Sequence, residues 1–267
     1  MKTFLALLKI TFRNYYGISV MKRKYIVEKK ELWQPILAVI GIGFAGIFFF
    51  SLVMLFSEGL YSAGKMLGEP ALVLALSFIM VALVAFVFDI GTILSTFYFA
   101  QDNTLLAALP LKPLHVLGAR FSLVMLNQYL VQIVLLIPPL FIFGRGEELG
   151  LLYIILAALI FLLFPVLPLV PAAVMSILMM SKAGSKRLKD IFTILTYIIL
   201  IAFVFGIQFF MQSLPHGEEL SSLESMIQTH GALLTEVGKN FPPAIWATKS
   251  LAMAGSVEGL LNLGLFL

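Results

Sequence analysis

Apolar residues run along this chain in long blocks, and polar residues collect between them. Ile36 to Phe56 is 21 residues without a charge, and Ala71 to Phe99 is a second block that holds only Asp89. Phe121 to Phe143, Leu149 to Met180 and Ile191 to Met211 follow. Each clears the roughly 20 apolar residues that cross a bilayer as a helix. A sixth block opens after Ser256, is interrupted by Glu258, and stops at Leu267. The pattern predicts an all-α, polytopic membrane helix bundle with five complete spans and an incomplete sixth. It divides into a basic segment 1–32, spans one to five over 33–211, an outer loop 212–250, and the start of span six over 251–267. The uncharged end from Gly259 gives only about 13 Å of helix against about 30 Å of hydrocarbon. The expectation is a fragment whose sixth span, and a second similar half, lie beyond residue 267; the alternative is a natural terminus with a short, tilted or half-inserted last helix.

Composition agrees. Of the 267 residues, 61% are hydrophobic and 12% charged. That is about half the charge of a soluble domain and too little polar surface to cover one. Soluble enzymes, nucleic-acid-binding domains and disordered chains are excluded. With no cysteine, disulfides, thiolate metal sites and cysteine nucleophiles are excluded too. No cofactor, metal site or catalytic residue is expected.

The net charge of +4 matters less than where the charges sit. Fourteen of the 18 basic residues lie before span one, between spans two and three, or between spans four and five. By the positive-inside rule these segments are cytoplasmic, as is the N-terminus, in a multi-pass protein of the cell membrane. The basic residues then contact lipid headgroups, and no nucleic-acid partner is needed. At the N-terminus the apolar run Phe4 to Leu8 is too short for a signal peptide. Leu5, Leu8 and Phe12, with Lys2, Lys9 and Arg13 elsewhere on the wheel, predict an amphipathic interfacial helix. In the outer loop, Leu220, Leu223, Ile227 and Leu234 predict another, ended by Phe241-Pro242-Pro243.

Several motifs resemble chemistry without its context. Gly41-Ile42-Gly43-Phe44-Ala45-Gly46 has the letters of a dinucleotide fingerprint, but inside a span the glycines read as small residues for close helix packing. Glu147-Glu148 and Glu218-Glu219 lack the Arg of an intramembrane protease motif and read as solvated pairs. His115, His216 and His230 show no tight ligand spacing. No G-x-x-x-x-G-K-[ST] occurs, so the chain has no P-loop of its own.

Three features carry more. Asp89 lies about 15 Å from the cytoplasmic end of span two, and Gln128 and Gln132 lie about 12 and 18 Å into span three, one turn apart. A charge at that depth costs about 2.5–3.5 kcal/mol on insertion scales. The favoured reading is an interhelical hydrogen bond from Asp89 to Gln128 or Gln132; the functional one is a proton or substrate site. Pro165, Pro168 and Pro171 break or bend span four, either as a hinge or as a static kink. After span two, Asp102 or Asn103 can cap a short helix through Leu105, Leu106 and Leu109 that Pro110 ends. Such an apolar-faced helix can dock a partner protein.

Asp102-Asn103-Thr104-Leu105-Leu106-Ala107-Ala108-Leu109-Pro110-Leu111 resembles the corresponding stretch of the permease subunits of type-2 ABC exporters. The basic N-terminus resembles their elbow helix, and Phe241 to Trp246 the entry to their last span. The resemblance implies that Asp102 to Pro110 is a coupling helix seated in an ATP-binding ABC subunit, and that a second permease half or subunit completes the transporter. It implies a non-enzymatic chain that works among membrane lipids and couples a separate ATPase to substrate export. The alternative is a secondary transporter using Asp89 as its ion or proton site.

Overall fold

The computed structural model describes residues 2–27, 33–98, 100, 112–183, the helical positions 191, 194, 198, 201–202 and 205–206, and 241–267. Among these residues all regular structure is helical. Helix α1 (Lys2–Tyr15) is followed by a helical turn, Ile18–Met21, and a π-helical turn, Lys22–Val27. Helices α2 (Trp33–Met66) and α3 (Leu72–Ile93) come next, and α3 runs on through a π-helical turn, Leu94–Tyr98. Then come α4 (Pro113–Gly146), α5 (Leu151–Leu163), α6 (Val166–Ala183), α7 (Pro242–Ala252) and α8 (Val257–Phe266).

Among the described residues, four segments are long and apolar enough to cross a membrane: Trp33–Met66, Leu72–Tyr98, Pro113–Gly146 and Leu151–Met180. They coincide with the first four expected spans. The fifth, Ile191 to Met211, falls largely outside the described residues, as do the amphipathic stretch from Leu220 to Leu234 and the loop 184–190.

Helix starts follow local chemistry. Pro113 opens α4, where its missing N–H costs nothing. Phe241 caps α7, and Pro242 and Pro243 fill its first turn. At α8 the Ser256 hydroxyl accepts from the Gly259 N–H at 3.0 Å, and Glu258 stands in the first turn, where a negative charge suits the helix dipole. Helix α7 lies partly within the stretch expected as outer loop; residues 242–252 are helical, and Ala244, Ala247 and Leu251 are fully buried.

The chain forms two compact units, each with its own core. One comprises 1–48, 86–131 and 169–196. Its core joins Ile90, Ile93 and Leu94 to Val124 of α4 and Leu169 and Ala172 of α6. Helix α1 lies on α4 in this unit. Leu7 and Thr11 are buried, and Phe4 packs against Gly118. The Tyr16 hydroxyl donates to Asn127 Oδ1 at 2.6 Å. Burial, with Tyr15 adding, pushes the Tyr16 phenol above its usual range, so it stays a donor. Leu5 is exposed; the packed stripe is therefore rotated from the one expected through Leu5, Leu8 and Phe12.

The other unit comprises 49–85, 132–168 and 197–267. Its core brings together Phe56, Phe78, Leu140, Ile160, Phe164 and Leu251, with the Phe78 and Phe164 rings 5.2 Å apart. Gly144 and Gly146 are two of the glycines that leave no room for a side chain here. A Cβ at Gly144 would lie 2.5 Å from the Tyr153 ring, and one at Gly146 would collide with Tyr61. By contrast, nothing lies within 4 Å of a Cβ built on Gly41, Gly43 or Gly46. No described residue makes the close helix packing expected of that stripe.

Candidate functional site

The expected coupling residues Asp102, Asn103, Leu105, Leu106, Leu109 and Pro110 all lie outside the described residues. The elements that lead to them are described. Helix α3 loses its regular ladder at Leu94–Tyr98, and π-turns of this kind recur at functional sites. Arg120, near the start of α4, donates from Nη1 to the Phe97 carbonyl at 3.2 Å. Arg120 is 6% exposed. A buried guanidinium is costly without partners, so this side chain is a structural tie, which its reading as a topology charge missed. Its spacing gave a signal: one helical turn beyond Val116 it falls among apolar residues on both sides.

Asp89, Gln128 and Gln132 are all buried, at 3%, 4% and 1% exposure. They do not form the expected pair with Gln128. Both polar atoms of the Gln128 amide, and Asp89 Oδ2, have no hydrogen-bond partner among the described residues. Thr96 Oγ1 and Asn127 Nδ2 in the same unit are also unpartnered. A buried polar atom left unmatched costs free energy.

Gln132 pairs elsewhere. Its Nε2 donates to the backbone carbonyl of Phe161 at 3.0 Å. In an unbroken helix that carbonyl would accept from residue 165, which is proline and has no N–H. The interruption sits there: α5 ends at Leu163 and α6 begins at Val166. Pro168 stands in the first turn of α6, while Pro171 lies inside that helix. Of the three prolines, only the first coincides with a gap between helices.

The outer pair also differs from expectation. Glu147 accepts from the Tyr61 hydroxyl at 2.8 Å, so it is not simply solvated. Glu148 adopts a left-handed backbone with φ of 51°. No group of three metal-ligating side chains occurs among the described residues.

Gly59-Leu60-Tyr61-Ser62-Ala63-Gly64-Lys65-Met66 has the glycine and lysine spacing of a P-loop, with Met66 in place of the Ser or Thr that meets magnesium. All eight residues lie in the last turns of α2. A phosphate cradle needs N–H groups that point out of a loop, whereas here they serve the helix. Leu60 and Gly64 are buried, and a Cβ at Gly64 would come within 2.7 Å of the Glu69 carbonyl. This segment does not fit ATP phosphates.

Residues 27–267 match the model of the family described as "Putative ATP-binding cassette", and the chain belongs to that family. It is thereby a component of an ABC transporter system. No curated protein and no solved structure matches it. The family corrects the resemblance to type-2 exporter permeases, because its description is of the ATP-binding type and not of a permease. That resemblance rested on about twenty residues, chiefly leucines before a Leu-Pro pair, which are common wherever a membrane loop leaves a span.

Proposed function

We propose that this chain is the membrane-spanning member of an ABC transporter and that ATP is bound and hydrolysed on a separate subunit. The observation that carries this reading is the set of four helices, among the described residues, long and apolar enough to cross a membrane. The helical state of Gly59 to Met66 supports it. The chain sits in the cell membrane with its N-terminus in the cytoplasm, supported by the distribution of Lys and Arg. The ATPase docks on the cytoplasmic segment after α3, and a second membrane half or subunit completes the pathway.

The test is a carbonate wash of one membrane sample and, from a second, unwashed sample, purification of the chain in mild detergent followed by labelling with a photoreactive ATP analogue. The chain should stay with the membrane, bring a soluble Walker-motif ATPase with it, and itself take no label. Labelling of this chain that disappears in Lys65→Ala would place the nucleotide here and overturn the proposal. A second reading, an ion or proton site at Asp89, is favoured by its buried, unpartnered Oδ2. Asp89→Asn keeps size and hydrogen-bonding capacity but cannot ionise. Loss of transport in a folded, ATPase-bound Asp89→Asn protein supports that site, and normal transport removes it.

A further inference from the structure

An open groove of about 440 Å³ runs between the second half of α4 and α5, lined by Ile137, Phe141, Gly144, Arg145, Ile154 and Ala158 among others. Small residues at Gly144, Ala157 and Ala158 leave the space, and the lining is otherwise aliphatic and aromatic. The one polar tip within it is already satisfied, since the Tyr153 hydroxyl donates to the Leu140 carbonyl at 2.7 Å. From Ile137 to Arg145 the helix rises about 12 Å, close to one leaflet of a hydrocarbon core about 30 Å thick.

Arg145 is the only charged residue of the lining. It is exposed in the last turn of α4 and makes no hydrogen bond or ion pair among the described residues. The carboxylates that follow are differently placed. Glu147 is held by Tyr61, while Glu148 stands in the same turn, its N–H bonded to the Arg145 carbonyl. An apolar trough with a free cation at one end and a carboxylate beside it matches an acyl chain whose headgroup carries both a phosphate and an ammonium.

We infer that this groove holds one acyl chain of a zwitterionic phospholipid, with its phosphate on Arg145 and its ammonium towards Glu148. The inference rests on the membrane-spanning reading above. It differs from ordinary lipid contact in predicting a preferred position and a headgroup requirement.

The probe is phosphatidylethanolamine with a photoreactive group on one acyl chain, added to the full chain in bilayers, with adducts mapped by peptide. The exposed face of α2 around Ile36, Ile40 and Phe44 reports general lipid contact. Peptides holding Phe141 and Ile154 should be labelled several-fold more than that face. Ala158→Phe, which fills the groove from an exposed position, should remove the excess. Arg145→Gln should lower it several-fold, to the level given by a diacylglycerol probe with the same chain. Equal labelling of groove and α2 face, unchanged by both substitutions, would overturn the inference and leave the membrane reading intact. Absence of label from both faces would overturn the two together.

Discussion

The side-chain amide of Gln132 on α4 is hydrogen-bonded to the backbone carbonyl of Phe161 on α5, at the position where Pro165 withholds a backbone donor. A proline break in a membrane helix is tolerable when a neighbour supplies the missing hydrogen bond. Here one glutamine supplies it, and in doing so it ties two helices at the point where one of them is interrupted.

The tie predicts a non-additive pair. Gln132→Leu removes the donor and should cost about 0.6–2 kcal/mol, the range of interhelical hydrogen bonds in membranes. Pro165→Ala returns an N–H to the helix. In the Pro165→Ala background, Gln132→Leu should cost less. Thermal unfolding of the four proteins in detergent gives the cycle, and additive losses would mean that the glutamine and the proline act separately.

Arg120 holds the Phe97 carbonyl. Arg120→Met should speed hydrogen exchange at Leu94–Tyr98 while leaving the Phe78–Phe164 core protected. Arg120→Lys keeps the charge but not the guanidinium fork, so it should recover only part of the protection. Unchanged exchange in Arg120→Met would show that the π-turn holds itself.

The glycines separate by surroundings. In an open helical position, Ala is favoured over Gly by up to about 1 kcal/mol. Gly43→Ala, which meets nothing within 4 Å, should be neutral or stabilising. Gly144→Val would press on the Tyr153 ring and should cost about 1–3 kcal/mol, as overpacked sites do. The denaturation midpoint should therefore fall for Gly144→Val and hold or rise for Gly43→Ala, and an unchanged midpoint in Gly144→Val would contradict the packing at Gly144.

Orientation can be read from two described positions in a chain that has no cysteine of its own. Lys112→Cys and Glu148→Cys flank α4. With the cytoplasmic side as proposed, a membrane-impermeant thiol reagent added outside intact cells should label Glu148→Cys and spare Lys112→Cys. The reverse pattern would invert the assignment.

Four of the five expected spans were legible because hydrocarbon imposes one requirement on every residue of a crossing helix, and composition alone reports it. Helix α7 was hidden by the same reasoning. Thr248, Lys249 and Ser250 make it look like loop, yet Ala244, Ala247 and Leu251 at spacings of three and four are a helical face; those residues are buried by their neighbours. The depth of Gln132 was readable and its partner was not. A hydrogen bond to a carbonyl depends on which backbone donor is missing across the interface, and that requires knowing that α5 lies beside α4. Arg120 was misread for a related reason, since a basic residue at a helix start looks the same whether it faces headgroups or closes a broken ladder. The family resemblance failed because a handful of leucines around Leu-Pro carries little information.

The π-turn at Leu94–Tyr98 widens the ladder by one residue, and in an ordinary α-helix one residue is worth about 100° of rotation. The direction in which the chain leaves this helix is therefore set by how many residues the turn contains. Leu94 within it is held in the core, and a single deletion in the turn would rotate Tyr98 by more than a quarter of a circle relative to Asp89.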